Sequence, residues 1–247
     1  MKISTDGLVI WETKTGEADR VITLLTANGV VTAYAKSSLR PKSKLTSATM
    51  MLSYSDFELY SGKNMYTADA AHIKHRFAKL SLDVKGYALA IYFCELLKLL
   101  APIDDDAGDF MSLSLNSLHL LDGGRKDMPI VKTVFEWRAA MYAGYMPDLV
   151  ECNVCGEHEA HDSHLDIHEG ILLCRQCAEK CTKPINAPAA VVRATRYILC
   201  NDLNKAFSFE LGAESLKILG DLSERFILDH LERPLPTLDF YKALAQD

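Results

Sequence analysis

Residues Val21–Tyr34, VITLLTANGVVTAY, hold two runs rich in β-branched residues, Val21–Leu25 and Val30–Tyr34, on either side of Asn28-Gly29. Asn-Gly between such runs is a strong hairpin signal, because both residues tolerate positive φ. Upstream, Leu8-Val9-Ile10 opens another apolar run. Downstream, Met50–Tyr60 alternates loosely, with Phe57, Leu59 and Met65 as further apolar points. About five short strands with polar turns predict a small barrel or a sandwich over residues 1–80.

Beyond residue 80 the apolar period changes. Leu82–Leu100 repeats apolar residues at helical spacing, among them Tyr87, Ile91, Leu96 and Leu99. Pro102 ends that helix, and Asp104-Asp105-Asp106 offers caps for the next, Phe110–Leu121, which Gly123-Gly124 stops. Further helices are predicted over Met128–Tyr145, Ala187–Cys200 and Ala213–Leu231. Residues 81–247 therefore read as a helical domain, and the fold class as α+β with two domains.

Charge follows the same division. The 247-residue chain has a net charge of -6, yet residues 1–80 carry +4 and residues 81–247 carry -10. A mildly basic first part and an acidic remainder favour two domains facing different partners. No apolar run approaches the roughly 20 residues that cross a bilayer, and Met1–Ile10 has no signal-peptide pattern. No membrane role and a cytoplasmic location are expected.

Seven cysteines are present, four of them in two close pairs, Cys152/Cys155 and Cys174/Cys177, with 18 residues between the pairs. An odd count with two C-x-x-C turns points to metal binding rather than a disulfide framework. Each turn lets two thiolates converge, and Gly156 permits the tight knuckle. Four thiolates form a tetrahedral shell suited to Zn2+ or Fe, and a closed shell is structural because no position is left for water. Only Leu165, Ile167, Ile171, Leu172 and Leu173 are large and apolar between the pairs, so the ion would hold this excursion together. His158, His161, His164 and His168 read either as competing ligands or as a solvated hairpin tip. Cys181 is a minor alternative to Cys177. Cys94 and Cys200 read as buried small hydrophobes in helices.

From Arg20 to Ser55 there is no Asp or Glu. Lys36, Arg40, Lys42 and Lys44 crowd around Pro41, with Ser37, Ser38 and Ser43 between them. Cations on a barrel rim attract phosphates, and Tyr34 and Tyr54 are candidate stacking surfaces for unpaired bases. The alternative is an ordinary solvated loop. Arg20, which opens the stretch, is counted with these cations. Arg193 and Arg196 share one face of the predicted Ala187–Cys200 helix and either extend a basic track or form local salt bridges.

No phosphate-binding loop, dinucleotide turn, H-E-x-x-H or G-x-S-x-G is found, and neither cysteine pair has the preceding Pro of the zinc deaminases. An acidic helix start explains Asp104-Asp105-Asp106 better than metal-assisted phosphoryl chemistry does. The sequence carries no catalytic constellation, and the protein is not expected to be an enzyme.

Several blocks resemble the bacterial RecO family of recombination mediators. Gly16-Glu17-Ala18-Asp19-Arg20 with Leu24-Leu25-Thr26 is similar to the family's second strand. Val31–Lys36 leading to Arg40-Pro41-Lys42-Ser43-Lys44-Leu45 is similar to its basic hairpin. The cysteine pairs after Ala143-Gly144-Tyr145-Met146-Pro147 fit, as does the tail His230–Leu235 with Leu238-Asp239-Phe240. The blocks span nearly the whole chain in the expected order. The chain departs from the family at Ser37 and Leu39, where Gly and two adjacent basic residues are usual. Not all members keep the four cysteines, which marks the metal as a scaffold device.

The resemblance implies an OB-fold over 1–80 and a helical domain over 81–247, with a zinc-binding excursion at about 148–183. It implies binding of single- and double-stranded DNA, annealing of complementary strands, and help for RecA in displacing single-strand-binding protein, usually with RecR. DNA contact is expected at Lys36, Arg40, Lys42, Lys44, Arg20, Tyr34, Arg193 and Arg196, with one structural Zn2+ at Cys152, Cys155, Cys174 and Cys177. The acidic, apolar-ended tail of single-strand-binding protein would enter an apolar groove of the helical domain rimmed by cations. No nucleotide would be consumed, and the site of action would be the bacterial nucleoid. The rival reading is a zinc-ribbon transcription or assembly factor that acts through proteins alone.

Overall fold

The computed structural model describes residues 2–63, 65–159 and 161–245. The chain divides into two compact units, Met1–Arg125 with Leu235–Asp247, and Lys126–Pro234. The strands are β1 (Lys2–Thr15), β2 (Asp19–Thr26), β3 (Gly29–Ala35), β4 (Ser53–Ser61), β5 (Tyr66–Arg76), β6 (Ser163–Asp166) and β7 (Ile171–Cys174). The helices are α1 (Val84–Leu100), α2 (Gly108–Asp122), α3 (Met128–Tyr142), α4 (Arg175–Lys180), α5 (Ala189–Cys200), α6 (Leu203–Ala206), α7 (Ala213–Leu231) and α8 (Pro236–Ala245). None of the described helices is long and apolar enough to cross a membrane.

In the first unit, β1–β5 close into a barrel of order β1-β2-β3-β5-β4, an OB-like arrangement. Closure is made by a short parallel seam, Ala33↔Tyr66 and Tyr34↔Thr67, between β3 and β5. The period-two pattern explains the wall. β4 turns Ser53, Ser55, Phe57 and Leu59 inward, and the intervening Tyr54, Asp56, Glu58 and Tyr60 outward. Val9, Ile22, Leu24, Phe57 and Leu59 fill the interior beside the smaller Ala33, Ala68 and Ala71. Leu45 and Ala48 of the β3–β4 connection join this core.

The β2–β3 hairpin forms where the sequence predicts it, but its turn is Ala27-Asn28 rather than Asn28-Gly29, since Thr26 pairs with Gly29. Of the two residues expected to take positive φ, only Gly29 does, at +107°. Thr26 fixes the turn: its Oγ1 accepts the Asn28 N–H at 3.1 Å and donates to the Gly29 carbonyl at 2.8 Å. The α1–α2 connection also closes on it. Val30 N–H donates to Pro102 O, and Ala107 N–H to Ala27 O, both at 2.8 Å. A Cβ on Gly29 would lie 2.7 Å from the Asp104 nitrogen, so glycine serves close backbone approach as well as the turn.

The first unit runs on past the period change at residue 81. Helix α1 packs on β1, α2 on β2, and the C-terminal α8 returns to α1. No helix is expected at α8 from the sequence. Pro236 opens it, and Thr237 donates through its hydroxyl and N–H to Glu95 of α1. Helix α1 starts at Val84 rather than Leu82 because Asp83 caps it, accepting the Lys85 N–H at 3.1 Å. The acidic triplet serves as expected, with Asp106 accepting the Gly108 N–H at 2.9 Å.

The second unit is built on α3, α5 and α7, which pack on one another. Trp137 of α3 lies with its ring 5.1 Å from that of Phe226 on α7. Lys132 reaches Glu136 at 2.7 Å and Glu224 at 2.9 Å, so these three charges between α3 and α7 are paired. Helix α3 stops three residues short of the predicted Tyr145. Gly144, at φ +91°, donates to Met141 O while Tyr145 N–H turns back to Ala140 O. Helix α5 opens at Ala189 rather than Ala187, because Ala187 forms a bridge to Ser163 and Pro188 sits at the cap.

Candidate metal centre and nucleic-acid interface

Two chain turns deliver the cysteines. In the first, Gly156 at φ +71° donates to the Cys152 carbonyl at 2.9 Å, and Cys152 N–H donates to Glu157 O at 2.8 Å, which folds Cys155 back beside Cys152. In the second, Cys174 ends β7 and caps α4, whose first turn carries Cys177. The four sulfurs lie within 4.8 Å of one another, with Cys155 and Cys174 at 3.7 Å. A tetrahedral ion with metal–sulfur bonds near 2.3 Å requires sulfurs about 3.8 Å apart, so the donor set fits. Cys152, Cys174 and Cys177 are buried and Cys155 is exposed.

The thiols differ in acidity because they crowd one site. Burial pushes the Cys152 thiol up, but backbone N–H groups of Cys174, Cys155 and Val154 aimed at its sulfur outweigh that and bring it down to about 6. Cys177, sharing a hydrogen bond with Cys155 and buried beside the other sulfurs, is pushed up to about 12. Without a cation the group cannot carry four negative charges, and a divalent ion removes that conflict.

Three of the four histidines lie on the surface, as a solvated tip predicts, and face carboxylates: His158 with Glu151, His161 with Glu159, and His168 with Asp229. His164 is the exception. It is buried, and its Nδ1 lies 2.7 Å from the Pro184 carbonyl. Cys94 is a buried hydrophobe whose thiol burial pushes up to about 12. Cys200 is exposed rather than buried, because it occupies the last, outward position of α5.

The basic stretch forms a chain of turns between β3 and β4. Leu39 N–H anchors it to Ala18 O, and Leu52 N–H to Val9 O. Lys36, Arg40, Lys42 and Lys44 are all exposed, and none has an ion pair among the described residues. The nearby acid, Asp19, is already engaged: it accepts the Tyr34 hydroxyl and the Ser37 N–H, which together hold its carboxyl below the usual range. Of the hydroxyls between the cations, Ser38 is fully buried and cannot meet a phosphate.

Three other expected contact residues have different work. Arg20 is 7% exposed. Its guanidinium bonds Thr46 O at 2.9 Å and Thr49 Oγ1 at 3.0 Å and lies 3.3 Å from Glu12, so it braces the connection from beneath. Tyr34 is tied through its hydroxyl to Asp19 and is only half exposed. Arg196 donates to the carbonyls of Leu149 at 2.5 Å and of His158 and Val150 at 3.1 Å each, pinning the cysteine excursion to α5. Arg193 is exposed. Tyr54 is half-buried, its hydroxyl donates to Asp6, and Lys74 lies 5.8 Å over its ring.

Residues 1–77 match the family model described as "Recombination protein O N terminal", and residues 81–239 the one described as "Recombination protein O C terminal". The chain is 33% identical over 244 residues to the "DNA repair protein RecO" of Acetivibrio thermocellus, covering 98% of this chain and 97% of that one. It is 28% identical to the protein of the same name from Alkaliphilus metalliredigens, covering 94% and 95%. A third such protein, from Symbiobacterium thermophilum, is 28% identical over 98% and 97%.

Proposed function

The chain belongs to the RecO family, and from that premise we propose that it is a DNA repair and recombination mediator that grips single- and double-stranded DNA through Lys36, Arg40, Lys42 and Lys44. The observation that carries this reading is that all four cations are exposed and unpaired on an acid-free connection. Contact with phosphates alone reads no sequence, so two strands held this way can slide until complementary bases pair. Annealing follows, and with it help in loading RecA onto DNA covered by single-strand-binding protein, with RecR as co-factor. Nothing in this scheme consumes a nucleotide.

The metal is proposed to be one structural Zn2+. Four cysteines in a closed shell suit that ion, which would cross-link the two turns that too few apolar residues hold. In the second unit, an apolar hollow of about 250 Å³ lined by Met146, Pro147, Leu149, Val150 and Leu199 is the proposed seat for the apolar end of the tail of single-strand-binding protein.

Annealing of complementary labelled oligonucleotides, bare or coated with single-strand-binding protein, tests the reading. The wild-type protein should accelerate pairing in both cases. The variant with all four cations changed to Ala should not, while melting at the same temperature. Equal annealing by the two proteins would move the DNA surface elsewhere. No acceleration by the wild type would favour a zinc-ribbon factor that works through proteins.

A further inference from the structure

A second acid-free stretch runs from Ala70 to Leu82 and contains Lys74, Arg76 and Lys79. It meets the first one in space, because Ser53 at the start of β4 pairs with Arg76 at the end of β5. Lys74 is spent on Asp6, 2.5 Å away. Arg76 and Lys79 are exposed, and neither has an ion pair among the described residues. Where the two stretches join, a cleft of about 200 Å³ opens between Met50, Arg76, Phe77 and Tyr87. Its lining includes two aromatic rings, the side chains of Met50 and Met51, and the hydroxyl residues Ser53 and Ser81. Phe77 is buried and held edge-on by His75, with ring centroids 4.7 Å apart, whereas Tyr87 and Met50 remain 37% and 39% exposed.

We infer that this cleft receives one unpaired nucleobase of a single strand, with the flanking phosphates on Arg76 and Lys79. The inference rests on the DNA-binding reading and adds to it a place that senses bases. The cleft is below the roughly 300–1,000 Å³ of a pocket for a drug-sized ligand and suits one planar ring system. A flat base gains by stacking on Tyr87 whatever its identity, so the site remains indifferent to sequence. A paired base would first have to leave its stack, so duplex DNA would use only the phosphate contacts. Neither stretch carries a carboxylate, and Glu12, whose charge acts on Tyr87, is paired with Arg20 at 3.3 Å.

The test compares three labelled ligands of equal length: an oligothymidylate, an abasic strand with the same phosphates, and a duplex. The wild-type protein should bind the thymidylate about tenfold or more tighter than the abasic strand, the scale of one stacked base. Tyr87→Ala should erase that preference while leaving abasic and duplex affinities unchanged, and Tyr87→Phe should keep it. Thermal melts of both variants confirm that they fold. Equal binding of thymidylate and abasic strands by the wild type, or an intact preference in Tyr87→Ala, overturns the base site. So does a Tyr87→Ala variant that loses affinity only for a peptide of alternating Asp and Leu, which would make the cleft a peptide seat beside the exposed Leu82 and Val84. Changing Lys36, Arg40, Lys42 and Lys44 to Ala tests the underlying reading separately: it should weaken all three ligands, and no weakening would refute that reading whatever Tyr87 does.

Discussion

Arg20 stands at the head of the acid-free stretch, yet its guanidinium turns inward to Thr46, Thr49 and Glu12. Replacing it with Ala leaves the partly covered Glu12 carboxylate without its counter-ion and two acceptors without a donor. Arg20→Ala should therefore lower stability by about 2–3 kcal/mol in urea denaturation, discounted from a fully buried pair because Glu12 meets water. DNA affinity per folded molecule should change by no more than about twofold. Asp19 makes the complementary case for an acid. Its carboxyl is held below the ordinary range, first by the Tyr34 hydroxyl and then by the Ser37 N–H. A depressed carboxyl stabilises the fold fully above its unfolded value near 3.9, and that contribution disappears as pH falls through the lower folded value. The stability difference between the wild type and Asp19→Asn should thus be constant from neutral pH to about 4 and shrink below it, as followed by urea midpoints across pH. Sequence displays a side chain's charge but not its acceptors, which is why the hydrogen-bonded Arg20 and Arg196 could not be told apart from the exposed Lys36 and Arg40.

The cysteine excursion, expected at about 148–183, was the most legible element, since two C-x-x-C turns can converge on an ion in few ways. What sequence could not show is how the excursion is fastened. Arg196 reaches carbonyls 47, 38 and 46 residues away, and a carbonyl leaves no mark in composition. Asp162 likewise caps α5 through the Ala189 N–H while pairing with Arg175 at 2.8 Å. Two outcomes follow. Stripping the metal with a strong chelator should abolish amide protection across 148–187 and leave the strands of the barrel protected, read by hydrogen exchange. Arg196→Ala should weaken protection at 149–158 and cost the second unit about 1–3 kcal/mol, without releasing the metal. The β2–β3 hairpin was equally plain in the sequence, yet its turn slipped by one residue. The backbone at 102–105, distant in sequence, decides which residue must lack a Cβ.

Across the whole chain, the charge division and the folding division do not coincide. The basic barrel shares its compact unit with α1, α2 and α8, while the metal centre belongs to the other unit, Lys126–Pro234. Hydrophobic period marks where strands give way to helices, but a boundary between units depends on which helices cover the barrel, and that pairing is long-range. Helices α1 and α2, which pack on β1 and β2, follow the barrel directly in sequence; α8, which packs on α1, arrives from residues 236–245. The proposed function needs neither an active site nor a nucleotide, only a surface where phosphates displace counterions. The salt dependence of single-strand binding measures that surface directly. With Lys36, Arg40, Lys42 and Lys44 changed to Ala, the slope of log K against log salt should flatten by about 3, the product of four lost contacts and roughly 0.7 ions each, at an unchanged melting temperature. A variant that keeps both the wild-type slope and the wild-type affinity would contradict the account.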